Sequence, residues 1–270
     1  MAKKTYIGVN NVARHVKKVY IGVNGVARKV KKIYIGVANI ARQVFGGGEL
    51  SYYGKATSLS EARGYFAATS VGNYALFGGG ETSSTVDAYN TSLTRTSPTA
   101  LSEARRNLAA TSVGNYALFG GGDLSSTVDA YDTSLTRTSP TALSEARGDL
   151  AATSVGNYAL FGGGYPDSST VDAYNTSLTR TSPTALSEAR GYFAATSVGN
   201  YALFGGGKND NHAYYSTVDA YDTSLTRTSP TALSEARRNL AATSVGNYAL
   251  FGGGDNGSGD RSTVDAYMVS

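Results

Sequence analysis

Gly64-Tyr65-Phe66-Ala67-Ala68-Thr69-Ser70-Val71-Gly72-Asn73-Tyr74-Ala75-Leu76-Phe77-Gly78-Gly79-Gly80 is the stretch from which the architecture can be read. Two strand-forming runs, 64–71 and 74–77, flank Gly72-Asn73, a pair suited to a tight hairpin because glycine accepts positive φ. The triple glycine ends the second run. Further along, 84–89 is again strand-like, Asn90 to Leu93 reads as a turn, and 94–100 forms a fourth segment. These four short segments, none long or periodic enough for a helix, read as an antiparallel four-stranded unit.

The unit recurs. The Leu of Leu-Ser-Glu-Ala-Arg stands at Leu59, Leu101, Leu143, Leu186 and Leu233, with spacings of 42, 42, 43 and 47. Periods of this size belong to propellers and solenoids, and four-stranded units point to a β-propeller. Ser51 to Ser58 occupies the fourth-strand position ahead of the first full unit, and after the third-strand segment Ser262 to Tyr267 the chain stops at Ser270. The expectation is therefore an all-β, five-bladed propeller over 46–270, closed by pairing an N-terminal fourth strand with three C-terminal strands. Closure would remove the open edges that invite aggregation.

Charge divides the chain at Gly46-Gly47-Gly48. Residues 1–48 carry seven Lys, three Arg and no acid, while the remainder carries fourteen cations and twenty anions. In this basic arm Tyr-Ile-Gly-Val recurs at Tyr6, Tyr20 and Tyr34. Each 14-residue unit splits into two strands, expected at 5–9, 12–16, 19–23, 26–30, 33–37 and 40–44, with two-residue connections that include Asn24-Gly25. The reading is a basic β-meander or hairpin arm over 1–45. Lys17, Lys18, Lys31 and Lys32 would dock it on a partner; a nucleic acid is the weaker candidate, because lysines at turns also serve to keep edges apart.

The units resemble kelch repeats in Phe77-Gly78-Gly79-Gly80, Tyr89 and Arg63 and their counterparts, over about 46–270. They depart from that family in lacking the fourth-strand Trp, where Leu93 and Thr94-Arg95-Thr96 stand. The arm, over 5–44, is similar to Tyr-Ile-Gly-Val repeats at the head of phage and prophage structural proteins of Gram-positive bacteria. That resemblance implies attachment to a larger assembly, a virion or tail component, and a location on the virion or outside the cell after release; the bacterial cytoplasm is the alternative.

Composition removes most enzyme chemistry. The absence of Cys excludes a thiolate nucleophile and Cys-based metal sites, and His15 and His212 are too few for a multi-histidine centre. The triple glycines lack the lysine and following helix of a phosphate loop, and the serines lack a base for a triad. Asp255 to Asp260 resembles a calcium loop only superficially, since Gly257 and Gly259 fall at alternate positions. No catalytic residue, metal or cofactor is expected. Nor is a signal peptide or membrane insertion, as no apolar run approaches bilayer length. Arg63, Arg105, Arg147, Arg190 and Arg237 are expected near one channel rim, where they either hold a carboxylate, sulfate or phosphate or pair with Glu and carbonyl groups between blades.

The units differ in two places: after the triple glycine, and in the triplet following that arginine. In an up-and-down blade both fall on one face, and loops on a rigid scaffold commonly carry recognition. The expected contacts are Lys208, Asn209, Asp210, Asn211, His212, Tyr214 and Tyr215 on the longest loop, and Asp255, Asn256, Asp260 and Arg261 beside it. Tyr65, Tyr165, Tyr192, Arg106 and Arg238 complete the face. The function expected is non-enzymatic recognition of a cell-surface glycan or protein by a phage or prophage tail protein, with a homo-oligomer allowed. The alternatives are an intracellular interaction scaffold, a propeller hydrolase or lyase, and a designed repeat protein.

Overall fold

The computed structural model describes the strands within 6–46, Tyr52 and residues 54–269. Among the described residues every regular element is a strand. The chain divides into two compact units, Met1–Lys55 and Ala56–Ser270.

In the first unit β1 (Tyr6–Val9) pairs with β2 (Val12–His15), β3 (Tyr20–Val23) with β4 (Val26–Lys29), and β5 (Lys32–Val37) with β6 (Ile40–Gly46). The innermost partners are Val9 and Val12, Val23 and Val26, Val37 and Ile40, so each register leaves two residues between its strands, as the repeat predicts. Among the described residues each hairpin is its own two-stranded sheet. Lys32 opens β5; Lys17, Lys18 and Lys31 lie outside the described residues.

The second unit contains five antiparallel sheets. The first is β7–β10 (Ala67–Val71, Tyr74–Gly78, Val86–Tyr89, Arg95–Thr96), the second β11–β14 (Ala109–Val113, Tyr116–Gly120, Val128–Asp132, Arg137–Thr138) and the third β15–β18 (Ala151–Val155, Tyr158–Gly162, Val171–Asn175, Arg180–Thr181). The fourth is β19–β22 (Ala194–Val198, Tyr201–Gly205, Val218–Asp222, Arg227–Thr228), and the fifth has three strands, β23–β25 (Ala241–Val245, Tyr248–Gly252, Val264–Met268). The repeated four-strand arrangement is that of a propeller-like fold. First strands begin three residues later than expected, because the triplet after each arginine is a link rather than a strand. Fourth strands are short, because Pro98 and its counterparts lack the N–H a ladder requires.

Each sheet packs on the next through one recurring apolar set. Ala67, Val71, Leu76, Val86 and Ala88 of the first sheet meet Ala117, Phe119 and Tyr131 of the second, with Leu101 and Leu108 from the connecting chain. Counterparts fill the following three interfaces. Sheets approach so closely at Gly120 that a Cβ there would stand 2.8 Å from the Phe161 ring, which explains why that position is glycine in every unit with a following sheet.

The sheets do not close into a ring. Residues 54–59 form no strand, and among the described residues β25 has no partner on its far side. The Tyr89 hydroxyl donates to the Thr57 carbonyl at 2.8 Å, as the Tyr131 hydroxyl does to Thr99. The segment thus sits where an intersheet connection sits in later repeats, held to the first sheet instead of completing the fifth.

Candidate functional site

The five arginines expected to ring the channel are buried anchors. Arg147 Nη2 reaches Asp172 at 2.7 Å and donates to the Phe161 carbonyl at 3.2 Å, with neither charged side chain exposed. Arg63, Arg105, Arg190 and Arg237 meet Asp87, Asp129, Asp219 and Asp265 at 2.9, 2.8, 2.8 and 2.6 Å. A second arginine approaches four of these aspartates from the other side: Arg95, Arg137, Arg180 and Arg227, at 3.1 to 2.6 Å. Ser60 and its three counterparts add N–H and hydroxyl donors. The anion-binding role is therefore corrected: each guanidinium is taken up by an aspartate of its own sheet rather than offered to a ligand. Burial pushes the Asp87 carboxyl upward, but Ser60 and Arg63 outweigh it and hold the group below its ordinary value.

Both variable places do lie together. Gly148 bridges Tyr165, Gly191 bridges Lys208, and Arg238 bridges Asp255, so these three post-arginine links are each bonded to the loop of their own sheet. At the centre of every link is a residue in the left-handed region: Tyr65, Asn107, Asp149, Tyr192 and Asn239, with φ of 55°, 56°, 48°, 58° and 52°. Their main chains run from sheet to sheet. Asn107 N–H donates to Tyr65 C=O at 3.1 Å, Asp149 to Asn107 at 3.0 Å, Tyr192 to Asp149 at 3.1 Å and Asn239 to Tyr192 at 2.8 Å. Asn and Asp tolerate this conformation, while for a tyrosine it is strained.

A cavity of about 340 Å³ opens here, lined by Arg106, Asn107, Asp123, Leu124, Gly148, Asp149, Tyr165 and Tyr192. Asn107, Asp149 and Tyr192 also line an adjoining cavity that ends at Asn239. The Arg106 backbone N–H and Nε donate to Asp123 at 2.9 and 3.1 Å, which fixes one wall. Burial raises the Asp149 carboxyl above its ordinary value, only partly offset by the Tyr192 hydroxyl and Arg106. Lys208 Nζ stands 5.0 Å from the centre of the Tyr192 ring.

Of the expected contacts, Arg106, Tyr165 and Tyr192 therefore converge, Lys208 stands behind Tyr192, and Tyr65 flanks a neighbouring cavity with Arg106 and Asp123. The long loops form a separate cluster. Arg238 lies over the Tyr214 ring at 5.6 Å and pairs with Asp255 at 3.0 Å. Asn209 donates to the Tyr215 hydroxyl, and the Asp210 N–H to Asp167. Arg261 is drawn to Glu235, while the Asn256 side chain accepts from the Ser258 N–H. Asp260 bridges Asp255, and Asn211 and His212 are exposed at the loop tip. Asn107, Asp149 and Asn239 were absent from the expected set, although each is the middle residue of the variable triplet.

Among the described residues no cluster of three His, Asp or Glu side chains is placed to hold a metal ion, and no helix is long and apolar enough to cross a membrane. No protein-family model matches the chain, and no curated protein is similar to it beyond chance.

Proposed function

We propose that the five sheets are blades of a kelch-type propeller and act as a non-enzymatic recognition module for a cell-surface glycan. The observation that carries this reading is the convergence of variable residues from three successive sheets on one cavity. Tyr192 and Tyr165 offer aromatic faces to a sugar ring, while Asp149 and Asn107 offer acceptors and donors to its hydroxyls. The Arg106–Asp123 pair keeps the wall in place. The basic arm attaches the module to a larger assembly, for which a phage or prophage tail is the setting suggested by its repeats.

The test is a glycan array probed with the full chain, followed by calorimetry on any ligand found. Tyr192→Ala and Asp149→Asn are expected to lose binding, and Thr133→Ala, in the turn at the opposite end of the second sheet, to retain it. Binding unaffected by both cavity substitutions would overturn the reading.

A further inference from the structure

The two ends of the sheet array are each half of an interface that the chain builds four times inside itself. On the fifth sheet Val245 and Val264 are 62% and 60% exposed, whereas their second-sheet counterparts Val113 and Val128 are 3% and 1% exposed. Ala241 and Ala266 of the same face are exposed too. On the first sheet, the residues corresponding to the covering set Ala117, Phe119 and Tyr131 are Ala75, Phe77 and Tyr89; Ala75 is exposed and the two rings half-buried. Gly252, the fifth-sheet counterpart of Gly120, faces no phenylalanine: a Cβ there would meet only Val264, at 3.4 Å.

Main-chain groups show the same pattern. Every internal interface contains three intersheet or connecting bonds, of the kind Leu101 N–H to Ser84 C=O, Gly80 N–H to Arg105 C=O and Asn107 N–H to Tyr65 C=O. At the open ends the matching donors are Gly254 N–H on the fifth sheet and Leu59 and Tyr65 N–H on the first. Among the described residues none of these donors has a backbone acceptor, and the matching acceptors, Arg63, Ser262 and Asn239 C=O, receive no backbone donor. Apolar faces, a glycine with no covering aromatic ring, and three donor–acceptor pairs all remain unjoined in the same relative arrangement.

We infer that the fifth sheet of one chain docks on the first sheet of a second copy, head to tail, reproducing the internal interface. In that contact Phe77 of the incoming copy fills the space over Gly252, and Ala75 and Tyr89 cover Val245 and Val264. Such an interface is heterologous: each copy uses one end as donor and the other as acceptor, so assembly gives a ring where the rotation closes and an open filament where it does not. The occupant is a second copy because the complementary face is this chain's own sequence and the chain's own first sheet does not cover it. The inference does not depend on which ligand the variable face takes.

The test uses the full chain in sedimentation velocity over a wide concentration range. Val264→Lys blocks the fifth sheet and Ala75→Arg blocks the first; both sites are exposed in the single chain, so each variant should retain the β-sheet circular dichroism of the parent. Gly252→Ala is a second, milder block. The parent is expected to associate with rising concentration, each blocked variant to remain monomeric, and Gly252→Ala to associate about a hundredfold more weakly. An equimolar mixture of Val264→Lys and Ala75→Arg should form dimers and nothing larger, since one free face of each kind remains. A parent that stays monomeric, as it would if the chain closed on its own first sheet, overturns the inference. So does association that survives Val264→Lys, or a mixture that stays monomeric.

Discussion

Asp87 and Asp149 belong to the same fold unit but to opposite regimes. Asp87 is fully buried, yet Ser60, Arg63 and Arg95 surround it so completely that its carboxyl is held below the ordinary value. Asp149 is only partly buried, yet its carboxyl is pushed above the ordinary value, because burial there is not matched by donors. The first position is identical in all five units; the second is Tyr, Asn, Asp, Tyr or Asn. At the anchors each aspartate carboxylate is met by at least one guanidinium. At Asp149 burial outweighs the donors that reach it.

The comparison breaks most decisively at the anchors. Arg147→Ala leaves Asp172 buried with one of its two arginines and is expected to cost about 3–5 kcal/mol in urea denaturation. Arg106→Ala, whose pair with Asp123 is exposed, should cost no more than about 1 kcal/mol. Equal losses would erase the distinction between anchor and rim.

Glycine substitution sharpens it next. Gly120→Ala forces the Phe161 ring to move and is expected to destabilise by about 1–3 kcal/mol. Gly252→Ala has room in the single chain and should leave the melting temperature of the monomer unchanged. A similar penalty at both sites would show that intersheet contact is not what fixes this residue.

Acid separates the two aspartates by sign. Folded values below the ordinary 3.8 for Asp87 and 4.5 for Glu103 and Glu145 mean stability that is complete above those values and lost as pH falls through the lower folded ones. Calorimetry should therefore show the melting temperature dropping once pH passes below about 4. Asp149 has the reverse sign: its carboxylate is penalised in the fold at neutral pH and the penalty vanishes below its ordinary value. Asp149→Asn should raise the melting temperature slightly at pH 7 and not in acid. A drop at pH 7 would mean the carboxylate is structurally satisfied after all.

At Tyr192 two effects on stability oppose each other. Tyr192→Asn relieves left-handed strain worth about 1–2 kcal/mol but loses the Lys208 contact, so the net change should stay within about 1 kcal/mol while ligand binding disappears. Retained binding would relocate recognition to the Arg238–Tyr214–Asp255 cluster.

Strand order, hairpin turns and the shared face of the variable places were all legible in the sequence, because period and turn chemistry are local properties. Leu59 to Leu233 count the repeats, and Gly72-Asn73 marks a turn wherever its counterpart occurs. The fate of the arginines was not legible: Arg147 and its Asp172 lie 25 residues apart, and only the folded sheet brings them together. Nor was the left-handed conformation of Tyr65 and Tyr192, which no local propensity favours and which main-chain bonds from neighbouring sheets impose. Ring closure failed as an expectation for the same reason, since matching sequence at two ends does not measure the distance between them.

The main-chain thread through Tyr65, Asn107, Asp149, Tyr192 and Asn239 makes the number of units a variable in its own right. Each joint uses only an N–H and a C=O, so any unit can follow any other without renegotiating the connection. Excision of one whole unit, residues 102–143, would bring the Tyr65 carbonyl to the Asp149 N–H and set a tyrosine beside an aspartate where an asparagine had separated them. Loss, gain or reordering of entire units thus rewrites the lining of the cavity combinatorially, with no new side chain invented and no sheet redesigned.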